Sequence, residues 1–205
     1  MSILPGRVLG VIAFVGCLWA LQNYAGILAF DRQQIVSGEL WRIWTGHLVH
    51  THLTHFVLNV AAAILLGLLF SPPIKWGEWL LSGVIFAGLI GLGLFCFYPD
   101  LDWYNGLSGL LHAWLAYFSI RLASAERRLF WAALAAVWVK VTAEALGVHL
   151  GYVHLLDGMT IITEAHLLGT IFGTVGGLLV VSLRREKHRR ENRRRQKAAA
   201  LVTHQ

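Results

Sequence analysis

Apolar residues in this chain come in long unbroken runs, not in the alternation of a half-buried strand or the one-sided stripe of a surface helix. A helix that is apolar all round belongs in a core or a bilayer. A crossing needs about 20 mostly apolar residues. Six such stretches are predicted, roughly Val8 to Phe30, His55 to Phe70, Glu78 to Phe97, Ser108 to Leu122, Leu129 to Leu146 and Ala165 to Leu183. Pro72-Pro73 and Pro99-Asp100 mark two of the ends, since proline interrupts helices. Trp41, Trp44, Trp76, Trp79, Trp103 and Trp131 fall near span ends, where amphipathic rings collect at membrane interfaces. The expectation is an all-α membrane protein, a bundle of six transmembrane helices over residues 1–183. A basic tail follows at 184–205.

Composition agrees. The 205 residues are 57% hydrophobic and 14% charged, against about one-quarter charged in a soluble domain. The net charge of +6 does not point to nucleic acid, because no soluble basic domain is present to dock. It is better explained by placement. With six spans, 14 of the 17 Lys/Arg fall on the side of the two termini, among them Arg7, Lys75, Arg121, Arg127, Arg128 and the tail. Arg32 and Arg42 fall on the other side and Lys140 within a span. Basic residues mark the cytoplasmic side, so both termini are expected there. The tail is expected to meet anionic lipid head groups. The first run is too long for a signal-peptide core and lacks a cleavage site, so it reads as a retained helix. Cys17 and Cys96, both in apolar runs, read as packing residues rather than a disulfide or metal pair.

Polar residues at the ends of membrane helices are costly and mark function by default. Ser108, in Gly106-Leu107-Ser108-Gly109, opens the fourth span, and His166 opens the sixth. His55 and Asn59 lie four apart at the start of the second, on one helix face. All three spans enter from the same side, so these residues share one depth. A serine hydroxyl needs a base to become a nucleophile, and His166 is the candidate. An oxyanion needs hydrogen-bond donors. His55, Asn59 and the Ser108 amide at a helix N-terminus are the candidates. Gly169, Gly173 and Gly177 on the sixth span, with Gly109, Ala113 and Ala116 on the fourth, offer the small faces that let two helices approach. His47, His50, His52 and His55 suggest a metal cluster at first sight. No His-Glu-x-x-His accompanies them, and neither a metal nor another cofactor is expected.

These residues resemble those of the rhomboid intramembrane serine proteases. The resemblance runs from Glu39-Leu40-Trp41-Arg42-Ile43-Trp44-Thr45 through His50, His55-Phe56-Val57-Leu58-Asn59 and Gly106-Leu107-Ser108-Gly109 to Ala165-His166-Leu167-Leu168-Gly169-Thr170-Ile171-Phe172-Gly173. It implies a catalytic dyad of Ser108 and His166 without a third acid. It also implies an oxyanion hole of His55, Asn59 and the Ser108 amide, and structural roles for His50, Trp41 and Arg42. Where many rhomboids have a tyrosine four residues after the nucleophile, this chain has His112, which shares the Ser108 face and can contact His166.

His112, the short chain and Lys140-Val141-Thr142-Ala143-Glu144 resemble the rhombosortase subgroup of Gram-negative bacteria. That resemblance implies an inner-membrane endopeptidase with its active site toward the periplasm. Its substrate would be an exported, membrane-anchored protein ending in a Gly-Gly region, one transmembrane helix and a basic run. A general rhomboid protease acting on other single-span proteins, and a non-catalytic protein that binds membrane helices, are the alternatives. Whether water or an amine acceptor resolves the acyl-enzyme stays open. Lys140 and Glu144, four apart on the fifth span, read either as residues that recognise substrate near its scissile bond or as a structural ion pair.

Overall fold

A computed structural model describes residues 4–70, 74–124, 127–148 and 161–202. Five long helices and one central shorter one form a bundle: α1 (Leu4–Leu21), α5 (Leu53–Phe70), α6 (Trp76–Phe97), α7 (Ser108–Leu122), α8 (Arg127–Ala145) and α9 (Thr163–Val202). The connection from α1 to α5 holds three short helices, α2 (Ala25–Leu28), α3 (Arg32–Val36) and α4 (Arg42–Thr45). A two-residue strand β1 (Phe30–Asp31) pairs antiparallel with β2 (Trp103–Tyr104). The Pro72-Pro73 break lies outside the described residues.

Each of the six predicted spans is helical. Length and composition by themselves qualify four as membrane crossings: Leu9–Leu28, Leu53–Phe70, Trp76–Phe97 and Thr163–Gln196. The other two depart for physical reasons. α7 has 15 residues, about 22 Å of helix, which is short of a bilayer core. It packs against α5, α6, α8 and α9, and this protein surround removes the demand that a lipid-facing helix meets. α8 has 19 residues but carries Arg127, Arg128, Lys140 and Glu144.

The outer helices keep their apolar side chains on the outside. Leu9, Ile12, Leu65, Leu68, Leu80 and Leu81 are each more than 60% exposed. Such a surface suits lipid, not water. Trp41, Trp44, Trp76, Trp103 and Trp131 are likewise exposed, whereas Trp79 packs on Trp114 and Phe118. Cys17 and Cys96 were expected in packed positions, but both are exposed free thiols on outward helix faces.

α7 and α9 form the centre. A Cβ on Gly169 would stand 2.1 Å from the Gly109 carbonyl oxygen, and one on Gly173 would stand 2.2 Å from that of Ala113. The two backbones therefore touch, as the small faces predict. The α1–α5 connection is fastened to the bundle. Arg32 donates to the carbonyls of Leu94, Phe95, Tyr98 and Leu101 at the C-terminal end of α6, where a helix leaves carbonyls unpaired. Arg42 donates to Gly26 and Ala29 carbonyls and pairs with Glu39 at 2.6 Å. Trp41 Nε1 donates to the Ile27 carbonyl. α9 runs without a break past Leu183 into the basic segment, where Arg190 pairs with Glu186.

Candidate active site

The loop before α7 aims Ser108. Gly106 has φ +118°, a left-handed conformation open to glycine. Its N–H donates to the Gly46 carbonyl at 3.0 Å. Its own carbonyl accepts from the Tyr104 hydroxyl at 2.6 Å. Tyr104 is held in turn by its pairing with Phe30 and by His47 Nδ1 at 3.0 Å. His47 Nε2 lies 3.1 Å from the Ala87 carbonyl. Burial pushes His47 down to about 4, against weaker opposition from the Ala87 and Gly106 backbone, so it is neutral at neutral pH. A neutral imidazole has one N–H, which goes to Ala87, and Nδ1 then accepts from the tyrosine hydroxyl, shared with Gly106.

A second brace comes from His50. Its N–H donates to Gln22 Oε1 at 2.7 Å, and Gln22 Nε2 donates to the Leu48 carbonyl. His50 Nε2 lies 3.4 Å from the amide of Leu107, the residue before Ser108. Burial first, then the neighbouring His55 charge, pushes His50 down to about 3, consistent with a ring that accepts from an amide. Asn105 Nδ2 donates to Thr51 Oγ1 at 3.1 Å.

Ser108 is the first residue of α7 and His166 the fourth of α9. The glycine contact brings these ends together, and Ser108 Oγ lies 2.8 Å from His166 Nε2. His166 is 4% exposed. Its Nδ1 lies 2.9 Å from Glu144 Oε2 on α8, and Glu144 Oε1 accepts from Lys140 Nζ at 2.6 Å. The tautomer follows. If Nε2 is to accept the serine proton, Nδ1 carries the hydrogen and donates it to Glu144. The imidazole of His112 stacks on that of His166, with centroids 4.2 Å apart and planes 13° apart. Its Nδ1 lies 2.7 Å from the Ser108 carbonyl.

His55 faces this region, and Asn59 follows it one turn later on the same face of α5. A Cβ on Gly106 would stand 2.4 Å from His55 Cε1 and 2.8 Å from Nε2, so the imidazole lies against the Ser108 loop. The His50 and His55 rings meet edge to face at 4.9 Å. Asn59 is 5% exposed, and its Nδ2 is buried with no hydrogen-bond partner among the described residues. A buried unpaired donor is costly, and such a group in a native fold calls for an explanation.

The rhomboid domain matches residues 37–183, well over half of the chain, with His55, Asn59, Ser108, His112, Glu144 and His166 inside it. The chain belongs to the rhomboid family. Rhomboids are in general intramembrane serine proteases, and the apolar helices make this one a multi-pass membrane protein. No curated protein matches the chain as a relative.

In this rhomboid the predicted Ser108, His166 and His112 come together, His55 lies against the Ser108 loop, and Asn59 is buried one turn further along α5. For Glu144 the expected ion pair with Lys140 is present. Its second oxygen meets His166, an acid beside that histidine which the resemblance does not imply. Gln22, Tyr104 and His47 brace the site without a signature in the sequence; a buried Tyr–His contact across 57 residues leaves no local pattern. Among the described residues, the one group of donor atoms close enough to share an ion includes none of His47, His50, His52 and His55. His112, Glu144 and His166 do place donor atoms within 4.8 Å of one another. Imidazole lone pairs lie in the ring plane, however, and two stacked rings point them side by side rather than at one ion.

Proposed function

We propose that this rhomboid is a serine endopeptidase that cleaves membrane-anchored proteins, with Ser108 as nucleophile and His166 as general base and acid. The observation that carries the reading is the 2.8 Å bond between Ser108 Oγ and His166 Nε2 at two helix ends. Ser108 Oγ attacks the scissile carbonyl carbon as its proton passes to His166 Nε2. The oxyanion takes hydrogen bonds from the Ser108 amide, from Asn59 Nδ2 and from His55. His166 returns the proton to the leaving amine, which departs as the acyl-enzyme forms. A water, deprotonated by His166, then attacks the ester and releases Ser108. An incoming amine in place of water would give transfer instead of hydrolysis.

All six predicted spans cross the membrane in this reading, α7 and α8 included. Both termini are cytoplasmic, as the placement of 14 of the 17 Lys/Arg supports. The site then lies toward the periplasm of a bacterial inner membrane. The likeness of His112, Lys140 and Glu144 to the rhombosortase pattern supports a dedicated substrate, an exported protein with a Gly-Gly, single-helix and basic C-terminal tail.

Two reporters test this in bacterial membranes, one with that tail and one with an unrelated helix. Cleavage of the first alone, lost in Ser108→Ala and in His166→Ala, is expected. Cleavage of both would mean a general rhomboid protease. Failure of a fluorophosphonate to label wild type more than Ser108→Ala, with neither reporter cut, would replace the protease reading with a helix-binding one.

A further inference from the structure

Glu144 lies on α8, 4% exposed, in the part of the bundle that faces the base. A carboxylate placed there is expensive unless its charge and lone pairs are answered. Lys140, one turn earlier, answers the charge at 2.6 Å. A purely structural ion pair would need nothing more from the second oxygen than a nearby donor of any kind. That oxygen meets Nδ1 of His166 at 2.9 Å, on the far side of the ring from Ser108 Oγ at 2.8 Å. Three side chains from three helices thus stand in line, hydroxyl, imidazole and carboxylate, with Lys140 behind the last.

We propose that Glu144 is a positioning residue that completes a Ser108–His166–Glu144 relay, with Lys140 fixing its carboxylate. The proposal rests on the reading of Ser108 and His166 as nucleophile and base. Three effects follow from the geometry. The carboxylate selects the Nδ1–H tautomer and leaves the Nε2 lone pair toward serine. It locks the ring rotation, which stacking on His112 restrains in only one direction. It also stabilises the imidazolium that forms while the proton is on His166. In soluble serine proteases the first effect is large, since loss of the acid's charge with geometry preserved costs about 10⁴-fold in turnover. The substrate-reading alternative is disfavoured by burial, because both carboxylate oxygens are already engaged within the protein.

The reaction of a small fluorophosphonate separates these roles. Ser108 Oγ bonds to phosphorus, the P–F bond breaks, fluoride leaves, and the serine proton passes to His166 Nε2. The probe has no transmembrane helix, so substrate reading does not enter. Glu144→Gln, purified beside wild type and normalised to folded protein by its thermal transition, is expected to lower the labelling rate constant by roughly 10²- to 10⁴-fold. Reporter cleavage should lose kcat by a similar factor with KM within about threefold. A labelling rate equal to wild type, or a loss confined to KM, would overturn the proposal. A lower amplitude at unchanged rate would also overturn it, as the mark of a purely structural residue.

If Glu144→Gln does not fold, wild type decides. With ¹⁵N-labelled histidine, the His166 resonances, assigned by their loss in His166→Ala, should show the proton on Nδ1. A proton on Nε2 would refute the relay. Labelling of wild type but not Ser108→Ala tests the protease reading separately, so the two can fail independently.

Discussion

Among the described residues the buried Nδ2 of Asn59 has no hydrogen-bond partner, and the proposed oxyanion hole gives that omission a use. An oxyanion would satisfy Nδ2 only during reaction, which is the condition for lowering a barrier rather than tightening binding. Asn59→Ala is therefore expected to cut kcat by about 10²- to 10³-fold with little change in KM, measured on the tailed reporter. His47 and His50 make a prediction about pH. Both are held neutral by burial, near 4 and near 3, while the unfolded chain binds a proton near 6.5. Between those values the unfolded state holds more protons, so stability rises with pH. The detergent-solubilised protein should show a thermal midpoint that is flat above about pH 6.5 and falls as pH drops toward 4. His47→Gln should flatten part of that fall. Ser108, His166, His55 and Asn59 were legible as residues because polar groups stand out at the mouths of apolar helices. Glu144 was legible as unusual but not as the partner of His166. Its contact with His166 spans 22 residues and depends on how α8 rotates against α9.

Long helices were readable because lipid and core impose the same apolar signal over many turns. α7 begins and ends where the sequence suggests, and α8 starts two residues before the predicted span. The short elements were not readable. A four-residue helix such as α4 and two-residue strands such as β1 and β2 have no stability of their own. They exist because Arg42 and Arg32 tie them to other segments, as does Thr45, whose hydroxyl donates to the Leu28 carbonyl. Among the elements, the glycine contact of α7 with α9 makes the sharpest prediction. Gly169→Ala places a Cβ 2.1 Å from a carbonyl oxygen, so the helices must part. A loss of about 1–3 kcal/mol is expected, together with slower fluorophosphonate labelling as Ser108 and His166 separate. Gly67→Ala, with nothing within 4 Å of the added atom, should be neutral or slightly stabilising. Thermal denaturation of the two variants side by side checks both.

For the whole molecule, the proposed topology fixes where a fusion will work. A fluorescent protein attached after Gln205 should fold and fluoresce, while alkaline phosphatase attached there should be inactive; the reverse pattern would invert the molecule in the membrane. The backbone contact at the centre has one further consequence. A joint made of side chains can change gear, because rotamers offer a second way to mesh. The seam of Gly109, Ala113, Gly169 and Gly173 has almost none to offer and behaves as a weld. Ser108 and His166, the proposed nucleophile and base, are then mounted on one rigid frame, and a polypeptide arriving from the lipid cannot wedge that frame apart without undoing the fold. Whatever clearance it needs has to be found in the looser panels around the weld.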